Sequence, residues 1–131
     1  MNIELSTNNQ ESKLEFQNVE KYSDHSGFCA HIYVKSDGFT GKVFCTFGEY
    51  PMDEFISQLE SCDKSLKGEA ILKPEYDNWF LKFSMNHTGG IGIEGLLYSI
   101  DHQLEFAFLT DQTCLSKFIK DLRKWQKQTI T

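Results

Sequence analysis

Cysteine and histidine are the side chains here whose chemistry depends most on spacing, and the chain holds four of each: Cys29, Cys45, Cys62 and Cys114, with His25, His31, His87 and His102. The cysteines stand 16, 17 and 52 positions apart, with no C-x-x-C pair and no short Cys/His pair at a metal-ligand spacing, so zinc templates fail. Reduced thiols, mostly buried as small hydrophobes, are expected, and no metal. Cys29 with His31 comes nearest to a nucleophile and its base. Residues two apart on a strand share a face, but no third group is at hand to orient the ring. Asp53 with Glu54 and Glu75 with Asp77 are the carboxylate pairs, and neither lies in an apolar run that would drive its two pKa values apart. Thr88 to Gly92 (TGGIG) has the glycine content of a phosphate loop without the P-loop lysine or a full G-x-G-x-x-G ahead of a helix. Those glycines are expected to form a turn, and to let Gly92 and Gly95 sit beneath bulky neighbours such as Trp79 or Phe83, or to open a bulge. No catalytic residues and no cofactor site emerge.

The elements that hold these residues follow from hydrophobic period. Leu14, Phe16 and Val19 give a weak first strand in a polar N-terminal stretch, of which residues 1–12 are expected to be loose. Phe28, Ala30, Ile32 and Val34 alternate with polar neighbours, Ser36 to Gly38 supply a turn, and Val43, Cys45 and Phe47 complete a hairpin. Pro51 then opens a helix over about 51–64 with the stripe Met52, Phe55, Ile56, Leu59 and Cys62. The alternation returns in Glu69 to Leu72, Trp79 to Met85, Ile91 to Tyr98 and Leu104 to Phe108, a four-stranded meander. A closing helix, capped by Thr110 or Asp111, buries Leu115, Phe118, Ile119, Leu122 and Trp125 and turns Lys117, Lys120, Arg123, Lys124 and Lys127 to water. The expected fold is α+β: one domain over 1–131, with a mostly antiparallel sheet of six or seven strands and two amphipathic helices packed on it.

Composition narrows the function classes. The 131 residues are 40% hydrophobic and 24% charged with two prolines, which describes a packed globule rather than a disordered chain. A net charge of -6 has the wrong sign for general nucleic-acid binding. No apolar stretch approaches the ~20 residues of a membrane helix, and Met1 to Gln10 lacks the features of a signal peptide, so a cytoplasmic protein is expected. Residues 1–110 carry 17 acids and 8 bases, whereas residues 111–131 carry 2 acids and 5 bases. Such an acidic body attracts basic partners. Its densest acidic surface is the outer face of the first helix, so Asp53, Glu54, Glu60 and Asp63 are the expected partner-binding residues.

Gly90 to Tyr98 (GIGIEGLLY), a short turn, Leu104 to Leu115 (LEFAFLTDQTCL) and the amphipathic helix after it resemble the C-terminal half of the WapI-like group of bacterial immunity proteins. Phe44 to Leu59 matches the group's order of strand, Pro-containing turn and helix, so the resemblance spans about Gly27 to Trp125. Its distinctive string is Phe108 to Leu115, with Cys114 where the related pattern tends to carry an aromatic. The resemblance implies a non-enzymatic protein that binds and blocks a cognate toxin in the cytoplasm, the toxin being of the wall-associated or contact-dependent-inhibition kind. The alternatives are a structural or regulatory interaction module and a small-molecule-binding protein.

Overall fold

The computed structural model describes residues 1–5, 7, 11–86 and 88–128. Within them, alternating apolar residues build a run of four strands twice, and a helix follows each run. The first unit comprises β1 (Ile3–Leu5), β2 (Ser12–Lys21), β3 (Phe28–Ser36), β4 (Phe39–Phe47) and α1 (Glu49–Ser65). The second comprises β5 (Gly68–Leu72), β6 (Phe80–Met85), β7 (Gly90–Ser99), β8 (His102–Asp111), a 3-10 turn (Gln112–Cys114) and α2 (Leu115–Gln126). Each run is its own antiparallel sheet, ordered β1-β2-β3-β4 and β5-β6-β7-β8.

The α+β class holds, but the strands number eight and divide between two sheets. The additional strand is β1, whose three residues are too few to show a period; its Ile3 and Leu5 are fully buried and pair with Phe16 and Leu14. These residues fall in the segment expected to be loose. The division arises because short turns let each meander complete its ladder before the chain enters a helix. The sheets then meet through side chains. Ser36 Oγ donates to the Ala107 carbonyl at 3.2 Å, and a Cβ on Gly41 would lie 2.6 Å from Leu104 Cδ2.

The odd spacing from Phe16 to Val19 has a local cause. The β2–β3 register shifts between Gln17 and Glu20, and Asn18 takes a left-handed φ of 53°. This bulge returns Val19 to the core side, where it is buried.

Both helices bury the stripes that their sequences expose. In α1, Pro51 occupies the first turn, Leu66 ends the helix in the left-handed region, and its N–H donates to the Cys62 carbonyl. Before α2, Asp111 caps the 3-10 turn by accepting from the Thr113 N–H at 2.9 Å, and the α-helix itself begins at Leu115. Aromatic rings then join the halves: Phe118 stacks on Phe16 of the first sheet at 6.0 Å and on Phe83 of the second at 5.7 Å. Trp125 meets Phe16, Phe28 and Phe47, and its indole N–H donates to the Glu20 carbonyl at 3.0 Å. The helices cover the inner faces, so the alternate residues of both sheets point outward.

Gly95 sits beneath a bulky neighbour, as expected, though the neighbour is another ring than the two named. A Cβ there would lie 2.6 Å from the Phe80 carbonyl and 2.7 Å from the Phe106 ring, so Phe106, rather than Trp79 or Phe83, requires it. At Gly92 the nearest atoms would stand 3.9 Å away, and the β6–β7–β8 register runs without a bulge.

Candidate functional site

The residues with nucleophilic or metal-binding chemistry are separated or quenched by the fold. All four cysteines are free thiols, three of them buried. Burial pushes the Cys29 and Cys62 thiols up and the Cys45 thiol up to about 12, which disfavours a thiolate. Cys29 lies 3.8 Å from a Glu20 carboxylate oxygen, while the His31 ring packs edge-on to Phe44 at 5.2 Å. Thus His31 is held against a phenyl ring, and the Cys29 thiol faces a carboxylate that opposes its ionisation. Among the described residues no group of three or more His, Cys, Asp or Glu could hold a metal ion. His87 lies outside the described residues.

The glycine-rich turn uses its own amides. Asn86 Oδ1 accepts from the Thr88 and Gly90 N–H groups at 3.0 and 2.9 Å and from the Thr88 hydroxyl at 2.7 Å. Donors committed to Asn86 do not cradle a phosphate. Of the other carboxylate pair, Glu75 and Asp77 are exposed and line a cleft of about 340 Å³ with Tyr22, Tyr76 and Gly48.

The four acids of α1 divide into different environments. Asp53, Glu54 and Glu60 are exposed and Asp63 is half-buried. Arg123 of α2 reaches across to two of them: its Nη2 lies 2.5 Å from Glu60 Oε1 and its Nη1 3.2 Å from Asp53 Oδ1. Gln126 adds a 3.0 Å bond to Asp53. The Gln126 amide and the Arg123 guanidinium hold the Asp53 carboxyl below its ordinary range. Arg123, expected to face water, is therefore the cation of an α1–α2 clamp. Glu54 stands one helical turn before Gln58, whose Oε1 accepts from the Ile71 N–H at 2.9 Å and covers the edge of β5.

The outward faces of the two sheets differ. On the first, Lys13 bridges Glu4 and Glu15, and Lys35 and Lys42 add further positive charge beside half-buried His31 and Tyr33. On the second, Ile71, Lys82, Glu94 and Ala107 form one row across the strands, with Glu69, Ser84, Gly92 and Leu109 beside it. Lys82 is held by Glu69 at 2.8 Å and Glu94 at 3.6 Å. Two shallow troughs of about 480 and 360 Å³ lie over the small residues of this face, the first reaching Phe80, Leu96 and Glu105 and the second Leu109. The alternation of Ile91 to Tyr98 turns Glu94 and Tyr98 away from the buried face, and the same alternation in β8 turns out Glu105, Ala107 and Leu109.

Among the described residues no helix is long and apolar enough to cross a membrane. Among solved structures, the chain is similar to that titled "Crystal structures of trypanosoma bruciei MRP1/MRP2", at 10% identity and a TM-score of 0.50, covering 95% of this chain and 83% of that one. This likeness concerns the fold alone. No curated protein sequence matches the chain. A family model described as "Immunity protein WapI-like family" matches residues 3–128, nearly the whole chain. The chain belongs to the WapI-like immunity protein family.

Proposed function

We propose that this protein neutralises a cognate bacterial toxin domain in the cytoplasm by binding it, without catalysis of its own. The observation that carries the reading is the family match over residues 3–128. The raised thiol pKa values and the self-satisfied glycine turn agree with a binding role. The partner is a basic domain delivered by a wall-associated or contact-dependent system, since an acidic body speeds capture of a positive surface and repels nucleic acid. Asp53, Glu54, Glu60 and Asp63 contribute to that attraction at long range. Arg123 offsets part of the charge of Asp53 and Glu60, so Glu54 acts most freely.

Gel filtration of the protein with the toxin domain encoded beside its gene tests this: a complex that co-elutes and suppresses the toxin's activity is expected. Separate elution with an active, folded toxin would remove the reading. A second reading, small-molecule binding in the cleft lined by Tyr22, Glu75 and Tyr76, predicts instead a thermal shift with a metabolite that grows as RT ln(1 + [L]/Kd).

A further inference from the structure

We infer that the outer face of the second sheet is the docking surface, and that its occupant is a basic protein surface bearing an apolar anchor. The inference rests on the immunity reading and adds to it the place of contact. Three features of β5–β8 converge there.

Charge is the first. Among the described residues Glu69 and Glu94 share Lys82, while Glu105 stands on β8 opposite Leu96, outside that group. Glu105 takes a 3.3 Å hydrogen bond from the neutral Gln103 amide and makes no ion pair among the described residues. The face therefore keeps negative charge for a partner's Lys or Arg to meet. On the first sheet Lys13 pairs with Glu4 and Glu15, and Lys35 and Lys42 bring the lysines there to the same number as Glu4, Glu15 and Glu20, so that face gives no such preference.

Apolar exposure is the second. Leu109 is 73% exposed and Ile71 41%, although each stands in a strand whose alternate residues are buried. Shape is the third. The short side chains of Ser84 and Ala107 and the bare backbone of Gly92 leave an open trough beside Leu109. Glu94, which lines the trough with Leu109, and Glu105, which lines the neighbouring trough, fit a basic side chain placed beside an aliphatic or aromatic one. A second copy of the chain would bring like charges together, which disfavours self-association through this face.

The experiment titrates the purified toxin domain encoded beside the gene into wild-type protein and three variants whose circular dichroism and melting match wild type. Leu109→Asp is expected to weaken binding at least about tenfold, the mark of an anchor residue. Glu105→Lys is expected to slow association and to flatten its dependence on salt. Phe44→Asp, on the exposed face of the first sheet, is expected to bind as wild type does. If wild type binds while Leu109→Asp and Glu105→Lys bind equally well, or if Phe44→Asp alone abolishes binding, the surface is wrong and the immunity reading stands. A wild-type dimer that Leu109→Asp converts to monomer assigns the face to a second copy and overturns the inference. Failure of wild type to bind overturns both readings.

Discussion

The two halves of the molecule repeat one local order, four antiparallel strands and a helix, yet they differ wherever side chains leave the core. Inward, both sheets present Phe, Ile and Leu to one shared aromatic cluster, in which Phe118 touches Phe16 and Phe83. Outward, the first sheet balances its charges around His31, Tyr33 and Phe44, while the second leaves Leu109 exposed beside Glu94 and a row of small residues. The helices differ too. The charged outer face of α1 is mainly acidic and that of α2 mainly basic, and Arg123 makes the attraction between them specific. Period-two alternation constrains only the inward positions. The outward ones are free to diverge, and partner recognition is expected where they have diverged most.

The largest effect should come from the residue shared by both halves. Trp125 is fully buried, and Trp125→Ala is expected to cost about 3–5 kcal/mol by urea denaturation, enough to unfold a domain of ordinary stability. A nearly silent change would mean that the halves do not depend on α2.

A sharper comparison sets two glycines of β7 against each other. Gly95→Ala forces a methyl against the Phe80 carbonyl and the Phe106 ring and should cost about 1–3 kcal/mol. Gly92→Ala places a methyl at ordinary contact distance, 3.9 Å from Leu109 Cδ2 and the Ser84 carbonyl, and should stay within about 0.5 kcal/mol of wild type in thermal melts. Equal costs would erase the difference between the inner and outer faces of the second sheet.

The helix clamp comes next. Arg123→Ala should cost about 1 kcal/mol or less, because its carboxylate partners are exposed. The folded pKa of Asp53 is lowered, so its contribution is present above its unfolded value of 3.8 and is lost as pH falls through the folded one. The difference in Tm between Arg123→Ala and wild type should therefore shrink below about pH 4. A difference that is flat from neutral to acid pH would assign the loss to packing of the Arg123 stem.

The smallest expected effect concerns the thiols. With burial holding Cys45 at about 12 and raising Cys29 and Cys62, these three thiols should react slowly with a thiol reagent in native protein at neutral pH, and quickly in unfolded protein. Fast native labelling at Cys29 would reopen Cys29 and His31 as a functional pair.

Both helices, the α+β class and most strands were legible because their periods extend over enough residues. Met52 to Cys62 and Leu115 to Trp125 name their own buried stripes. β1 was not legible, since three residues among polar neighbours carry no period, and neither was the division into two sheets. Alternation reports which way a side chain points but not which strands share a ladder. The same limit applied at the surface. The acids of α1 were readable as exposed, whereas the reach of Arg123 across 63 positions to Glu60 is a product of helix packing. Leu109 was within reach, because alternation with Phe106 and Phe108 turns it outward, but nothing local marks an outward apolar residue as a contact point.

The claim at the centre of this account is neutralisation of a toxin, and growth of cells expressing the toxin domain encoded beside the gene tests it most directly. Co-expression of the wild-type protein is predicted to restore growth, and of Leu109→Asp to restore it poorly. Continued growth arrest in the presence of abundant, folded wild-type protein would contradict the account.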